Sequence, residues 1–303
     1  LGPLLFLCYI NDAGNSLTRL SPNNLCFYAD NTNLRVSAGT LQEVEILSFV
    51  ELESIGGFLE RNKLKLNARK TNCIVFKTHK NKQIIDPIIM YNEQQIENKT
   101  STQFLGLIID QNLSWNAHVD KVLSKLSSGI YSLSRMSFFC NQKTLKNIYF
   151  ANIHSHLAYG LCLYGSTTKS NMDNILKLQK RAVRIIMKLR YYETAKDKFK
   201  ELGILTVYGQ YILDTSIIAK SYLENSESKS HQYNTRHKKF ITSTQHKLTF
   251  YEKKPTYIGL KFLKHLPNDI KNEENITKFK KRLKNYLVEK AIYSLEEFFS
   301  TFP

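Results

Sequence analysis

The spacing of hydrophobic positions changes near residue 113 and divides the sequence into a mixed part and a helical part. Before this point, short apolar runs at residues 25–28, 73–76 and 102–110 stand between turn residues, which predicts strands. Residues 4–10 form the longest apolar run and follow Pro3, a good first helical residue, so we expect a buried helix there. Thr40 followed by Glu43 predicts a capped helix that continues to about residue 59.

Beyond residue 113 the core-type positions recur every three to four residues, which predicts amphipathic helices. Five sets follow this spacing: Trp115, Val119, Val122, Leu126, Ile130 and Leu133; Leu145, Ile148, Tyr149, Ile153 and Leu157; Met172, Leu176, Gln179, Val183 and Ile186; Tyr208, Tyr211, Ile212, Thr215 and Tyr222; and Ile276, Phe279, Leu283 and Tyr286. Residues 224–239 are polar and rich in Ser, Lys and His, as expected of a linker. The pattern indicates an α+β protein with divisions at 1–112, 113–224 and 225–303.

The chain is strongly basic. Its 43 Lys and Arg against 26 Asp and Glu give a formal charge of +17. A field of this sign favours polyanions, chiefly nucleic acid and more weakly an anionic membrane, although solubility alone also explains it. No stretch approaches the roughly 20 apolar residues of a membrane span. The five cysteines are scattered without a CxxC pair, which fits a reducing, intracellular compartment better than a zinc site.

One helical stripe carries cations and no acid: Lys177, Lys180, Arg181, Arg184 and Lys188. Such a stripe suits the phosphate backbone of a nucleic acid. A solvated helix face explains the same pattern, and the sequence does not decide between the two.

An acidic turn ends the first predicted strand. We expect Asp30 and Asn31 to form a tight hairpin turn, with residues 32–36 as the return strand. A carboxylate at the tip of a hairpin suits a divalent metal, whereas the six residues taken alone are explained better by an ordinary Asx turn. Lys70 lies where a loop meets the strand at residue 73, where its ammonium could reach into a site or simply be solvated.

Taken in order, these segments resemble the reverse transcriptases of non-LTR (LINE-type, jockey-like) retrotransposons. Residues 1–12 resemble the end of motif B, residues 27–32 resemble motif C, and residues 62–67 with Lys70 and Thr71 resemble motif D. Further similar segments are residues 104–106 and 113–115 with His118 at the palm–thumb join, 156–160 and 178–186 in the thumb, and 234–236 and 266–267 in the C-terminal extension.

The resemblance implies a fold and a reaction. Residues 1–112 would form a partial palm of antiparallel strands with packed helices, residues 113–224 a helical thumb, and residues 225–303 a linker and basic C-terminal extension. The implied activity is RNA-directed DNA polymerisation with Mg²⁺ and dNTPs on an RNA template and DNA primer duplex. Asp30 would be a metal ligand, Asn31 its motif C neighbour, and Lys70 a candidate proton donor to pyrophosphate.

Two departures from the family pattern lower the expected activity. Asn31 stands where the family has a second aspartate, and a neutral amide is a poorer ligand for a hard cation. The other essential aspartate, in motif A, would lie upstream of Leu1, so we expect a piece of a longer protein that is inactive alone. A non-catalytic nucleic-acid-binding module and a degraded element product are the alternatives. The expected location is cytoplasmic or nuclear, and the oligomeric state is not predicted.

Overall fold

The computed structural model describes residues 1–20, 24–67, 70–76, 85–225, 246 and 249–300. The chain divides into two units, Leu1–Leu113 and Ser114–Pro303. Nearly all of the linker predicted at 224–239 lies outside the described residues. The mixture of many helices with small sheets fits the predicted α+β class.

The first unit contains two helices, a 3₁₀ helix and eight short strands among its described residues. They are α1 (Gly2–Ile10), the 3₁₀ helix Asn11–Ser16, β1 (Leu25–Tyr28), β2 (Asn31–Leu34), α2 (Leu41–Arg61), β3 (Asn72–Cys73), β4 (Met90–Tyr91), β5 (Gln94–Gln95), β6 (Glu97–Asn98), β7 (Ser101–Phe104) and β8 (Leu107–Asp110). The capping box predicted for α2 is confirmed: the Thr40 side chain accepts the Glu43 N–H, and the Glu43 carboxylate accepts the Thr40 N–H.

The strands pair differently from the predicted antiparallel set. The described residues form four separate two-stranded sheets, and one of them, β3 with β6, is parallel. The strand predicted at 73–76 is only Asn72–Cys73. Residues 102–110 form the hairpin β7–β8 instead of one strand, because Leu105 and Gly106 take positive φ angles of 45° and 83° and reverse the chain. Gly106 adopts such an angle without steric cost.

The helix predicted over residues 4–10 is present as α1, but it is not buried. Leu4 and Leu5 are 66% and 58% exposed, and within α1 only Ile10 is buried. Apolar residues occur on every side of this helix, whereas only Phe6 and Ile10 contact the small core that they share with Leu25 and Ile55. An apolar run identifies the helix but does not say how much of its surface the fold covers.

The second unit is helical throughout its described residues. Its elements are α3 (Asn116–Met136), α4 (Gln142–Tyr149), the π-helix Phe150–His154, α5 (Ser155–Ala158), α6 (Leu161–Tyr164), α7 (Lys169–Ile186), α8 (Lys196–Leu202), α9 (Val207–Asn225), the 3₁₀ helix Thr249–Lys253, α10 (Pro255–His265), α11 (Asn268–Lys271), α12 (Ile276–Lys290) and α13 (Leu295–Ser300). The five predicted helical patterns are confirmed as α3, α4 to α5, α7, α9 and α12.

Close backbone contact holds the centre of this unit together. A Cβ added to Gly129 of α3 would lie 2.7 Å from the carbonyl oxygen of Asn152, inside the π-helix. The π-helix interrupts the second predicted pattern, although Leu145, Tyr149, Ile153 and Leu157 all remain buried.

Within the described ranges, no single helix is long and apolar enough to cross a membrane. Helix α8 and α9 up to Glu224 meet that criterion only as a pair, across a bend of 55°.

Candidate active site and nucleic-acid surface

Asp30 lies at the tip of the hairpin formed by β1 and β2. The strands are in register with Tyr28 opposite Asn31, so Ala29 and Asp30 form the two-residue turn. The predicted turn at Asp30 and Asn31 is therefore shifted by one residue, and Asn31 is the first residue of β2. Ala29 takes the positive φ of 52° that reverses the chain. Asp30, the last residue of the turn, and Asn31, the first residue of β2, are both exposed.

The base of the hairpin is fixed to the helices of the first unit. Leu25 is buried with Ile10 and Ile55, and Phe27 and Leu34 pack against the same cluster. This packing ties both strands to α1 and α2. The turn that carries Asp30 therefore projects from an anchored support.

A buried carboxylate that the sequence analysis missed holds the segment leading to the hairpin. Glu51 of α2 is fully buried and accepts the backbone N–H groups of Thr18, Arg19 and Leu20 at 2.9, 2.6 and 3.0 Å. Charge-assisted hydrogen bonds of this kind are among the stronger ones in proteins. The sequence did contain a signal that this carboxylate is buried, because Glu51 falls on the apolar face of α2 between Leu47 and Ile55.

The hairpin offers oxygen ligands of the type that Mg²⁺ prefers, but not a complete set. The Asp30 carboxylate and the Asn31 amide supply them. The described part of the chain contains no group of three or more His, Cys, Asp or Glu residues able to hold a metal ion. A Mg²⁺ ion at this turn would complete its coordination with water and with oxygen atoms of a bound nucleotide.

Lys70 lies in a turn just before β3. Its backbone N–H donates to the carbonyl oxygen of Asn67 at 3.0 Å, and Thr71 donates to the same oxygen. The Lys70 side chain is exposed. The hydrogen bonds of this turn use the backbone of Lys70 and not its side chain, so its ammonium group stays at the surface.

The segment that resembles motif D also lines a cleft of about 330 Å³. Leu64, Lys65 and Leu66 form part of its wall, with Glu60 and Tyr91 beside them. Burial raises the pKa of the Tyr91 hydroxyl, and the nearby carboxylates of Glu60 and Glu53 raise it further. The sequence did not indicate this cleft, because Tyr91 lies far from the motif along the chain.

The predicted cationic stripe of α7 is divided in the structure. Lys177 and Arg181 are exposed. Lys180 is half-buried with its Nζ 4.1 Å from the centre of the Tyr293 ring, and burial lowers its pKa. Arg184 is half-buried and donates through Nε to the carbonyl oxygen of Glu193 at 3.2 Å.

Lys188 is exposed, but it lies past the end of α7 with a φ of 53°. Its side-chain direction therefore does not follow the helical stripe. The predicted stripe therefore separates into three parts. Two of its residues, Lys177 and Arg181, are exposed on α7, two more, Lys180 and Arg184, pack against neighbouring groups, and Lys188 lies in the loop after the helix.

The C-terminal segment neutralises cations next to the stripe. Glu296 pairs with Lys169 at 3.1 Å, and Glu297 pairs with Lys196. Sequence reasoning missed these pairs because their members are 127 and 101 positions apart.

Helix α12 exposes a further set of cations: Lys278, Lys280, Lys281, Arg282 and Lys284. Arg282 pairs with Glu273 at 3.3 Å. The composition of residues 276–290, six Lys or Arg and one Glu, was a visible signal for this surface.

The chain resembles the RNA-directed DNA polymerases of jockey-like, non-LTR mobile elements, so the resemblance inferred from the motifs is confirmed. It is 24% identical over 231 residues to the "Probable RNA-directed DNA polymerase from transposon BS" of Drosophila melanogaster, across 71% of this chain and 24% of that protein. It is 22% identical over 211 residues to the "RNA-directed DNA polymerase from mobile element jockey" of Drosophila melanogaster, across 67% of this chain and 23% of that protein.

The jockey polymerase of Drosophila funebris is 22% identical to it over 236 residues, across 75% of this chain and 25% of that protein. The chain thus spans about a quarter of the length of these relatives. No family model and no solved structure matches it.

Proposed function

We propose that this chain is the palm and thumb part of an RNA-directed DNA polymerase from a jockey-like non-LTR element. The observation that carries the proposal is the exposed Asp30 at the tip of an anchored hairpin, in a chain similar over most of its length to such polymerases. The substrates would be dNTPs and a DNA primer paired with an RNA template.

In this proposal each residue of the site has one role. Asp30 holds a metal ion together with oxygen atoms of the nucleotide, and Asn31 adds only a neutral ligand. When bound, Mg²⁺ would activate the primer hydroxyl and stabilise the leaving pyrophosphate. Lys70, whose ammonium is exposed beside β3, would donate a proton to pyrophosphate.

The isolated chain is expected to be a poor catalyst. A polymerase site needs more than one carboxylate, and the described residues bring no group of three acidic, His or Cys ligands together. We infer that catalysis needs a further carboxylate beside Asp30, as the resemblance to the motif A and motif C pair of these polymerases implies.

The test compares the unmodified chain with Asn31→Asp and Asp30→Ala. Asn31→Asp restores the acidic pair of the family, so Mn²⁺ should bind about tenfold more tightly in the presence of primer–template and dNTP. Broadening of the hairpin amide signals in NMR measures this, and primer extension should rise in parallel. Asp30→Ala should remove both effects and leave primer–template binding unchanged.

The polymerase proposal fails if Asn31→Asp changes neither metal binding nor primer extension. Vigorous extension that depends on Asp30 in the unmodified chain would instead contradict the expected inactivity.

The second candidate is a non-catalytic nucleic-acid-binding module. The exposed cations of α7 and α12 favour it, since they need no metal to act. It predicts full binding of nucleic acid by the Asp30→Ala and Asn31→Asp variants, with no primer extension by either.

A further inference from the structure

Four aromatic side chains in the segments that follow two helices are largely exposed. Phe138 and Phe139 follow α3 and are 78% and 86% exposed, and Tyr191 and Tyr192 follow α7 and are 92% and 74% exposed. Aromatic rings contribute most of their stabilising energy when buried. Grouped exposed rings therefore indicate an interaction surface.

Both pairs of rings lie at the same end of the helical unit. Helices α3 and α7 begin side by side, because Asn171 donates to the Asn116 side chain at 2.8 Å and Thr167 donates to the Ser114 carbonyl at 2.9 Å. The two helices have 21 and 18 residues and are therefore of similar length, so their C-terminal ends lie at the same end of the unit. At the far end, Nε2 of Gln142, the first residue of α4, lies 2.8 Å from Sδ of Met187, the residue that follows α7.

The rings are presented by folded turns. After α3, the N–H groups of Phe139 and Cys140 both donate to the carbonyl oxygen of Met136, at 3.1 and 2.9 Å. After α7, the Glu193 N–H donates to the Arg190 carbonyl at 3.2 Å, and the Glu193 carboxylate accepts the Arg190 N–H at 3.0 Å. These bonds fix the backbone in place, which lowers the entropic cost of binding a partner.

The Arg184 contact described above belongs to this arrangement. Its guanidinium donates to the carbonyl oxygen of Glu193 and so ties the second turn to the body of α7. The residue predicted to contact phosphate therefore supports the loop that carries Tyr191 and Tyr192.

Cations stand among the rings. Lys188 and Arg190 are exposed, and the Arg190 guanidinium donates to the Tyr192 hydroxyl at 2.8 Å. Lys143, at the start of α4, is also exposed beside the first turn. Planar rings for bases and cations for phosphates are the two components of surfaces that bind single-stranded nucleic acid.

We propose that this surface, which we call the aromatic end, binds unpaired bases of a single-stranded nucleic acid. Its members are Phe138, Phe139, Lys188, Arg190, Tyr191 and Tyr192. The choice of nucleic acid rests in part on the proposed function, which requires the chain to handle an unpaired template. The geometry favours it over a membrane, because the rings project from two short turns and not from one face of an amphipathic helix.

The test compares two labelled strands of equal length and charge, oligothymidine and an abasic phosphodiester, by fluorescence anisotropy. The unmodified chain should bind oligothymidine at least about tenfold more tightly, since base stacking contributes that much per ring. Phe139→Ser with Tyr192→Ser should remove most of this preference and leave the affinity for the abasic strand unchanged. Phe139→Tyr with Tyr192→Phe should restore the preference, because both rings are kept.

Tyr222→Ser is the matched control. Tyr222 is 53% exposed on α9, outside both turns, so its loss should leave the base preference intact. Circular dichroism of each variant verifies that the helices remain folded.

Equal affinity of the unmodified chain for the two strands would overturn the proposal, as would a Ser variant that keeps the base preference. So would a Ser variant that loses binding to phosphatidylserine vesicles, or loses self-association in sedimentation, while its base preference persists. The measurement is made in EDTA without dNTP, so its result does not depend on Asp30 or on polymerisation. A failed primer-extension test therefore counts against the polymerase proposal, and the absence of a base preference counts against the aromatic end.

Discussion

Two carboxylates of the first unit have opposite environments and opposite roles. Asp30 is exposed at a turn, whereas Glu51 is fully buried and accepts three backbone N–H groups. The motif pattern revealed Asp30, because its neighbours in sequence are also its neighbours in the hairpin. Glu51 escaped, since the backbone groups that it binds lie 31 to 33 positions earlier.

Replacing Glu51 should loosen the segment that leads into the hairpin. In Glu51→Gln the amide NH₂ would face backbone donors, so at least one buried N–H loses its acceptor at a cost of about 1–3 kcal/mol. The amides of Thr18, Arg19 and Leu20 should exchange with solvent about tenfold faster or more. Glu53→Gln, on the exposed side of the same helix, is the control and should leave their exchange unchanged. Unchanged protection in Glu51→Gln would show that these hydrogen bonds contribute little.

The half-buried His154 and the buried His118 predict a loss of stability in mild acid. Burial lowers the pKa of His154, with Lys284 lowering it further, and the rings of Tyr149 and Phe150 lie beside it. Because the folded pKa is below the unfolded value of about 6.5, the unfolded chain takes up the proton first. Stability is therefore complete above about pH 6.5 and falls as the pH drops toward the folded pKa.

Trp115 measures this effect, because it is buried in the second unit and is the single tryptophan of the sequence. Urea unfolding followed by its fluorescence should show a lower midpoint at pH 5.5 than at pH 7.5. His154→Gln should reduce that difference, and the same change at exposed His156 should not. Burial also lowers the pKa of His118, which contributes to the same loss of stability.

At the scale of elements, periodicity predicted the helices of the second unit well and the strands of the first unit poorly. A helix such as α3 buries one stripe of its own residues, so its spacing is a local property. The short strands depend on partners elsewhere: β3 pairs in parallel with β6, 25 positions away. The turn at Leu105 and Gly106 was also hidden inside an apolar run.

Helices α9 and α10 pack so closely that one glycine should be indispensable. A Cβ at Gly259 would lie 2.2 Å from the carbonyl oxygen of Thr215, a backbone atom that cannot move aside cheaply. Gly259→Ala should therefore destabilise the second unit by about 1–3 kcal/mol or more, despite the better helix propensity of alanine. Thermal unfolding followed by circular dichroism measures the loss.

Gly57→Ala in α2 is the matched control. The nearest atom to its added Cβ is the flexible end of Arg61 at 3.4 Å, so this change should be neutral or stabilising by up to about 1 kcal/mol. Equal effects of the two substitutions would contradict close α9–α10 packing.

At the scale of the whole molecule, a charge of +17 does not describe one uniform surface. Lys169 and Lys196 are paired with Glu296 and Glu297 of α13, whereas Lys177 and Arg181 of α7 are exposed. The sequence predicted the stripe from helical spacing, but the neutralising carboxylates come from the far end of the chain. Only the structure separates cations that are paired internally from those open to solvent.

This division predicts which cations set the salt dependence of primer–template binding. If Lys177 and Arg181 contact phosphates, the variant Lys177→Gln with Arg181→Gln releases two fewer counterions, so the slope of log affinity against log salt becomes shallower by about 1.8. The variant Lys169→Gln with Lys196→Gln removes the same charge from paired positions and should change the slope by much less. Titrations over a range of salt concentrations measure both slopes. If the two variants shift the slope equally, binding responds to total charge and the exposed part of α7 has no special role in holding the duplex.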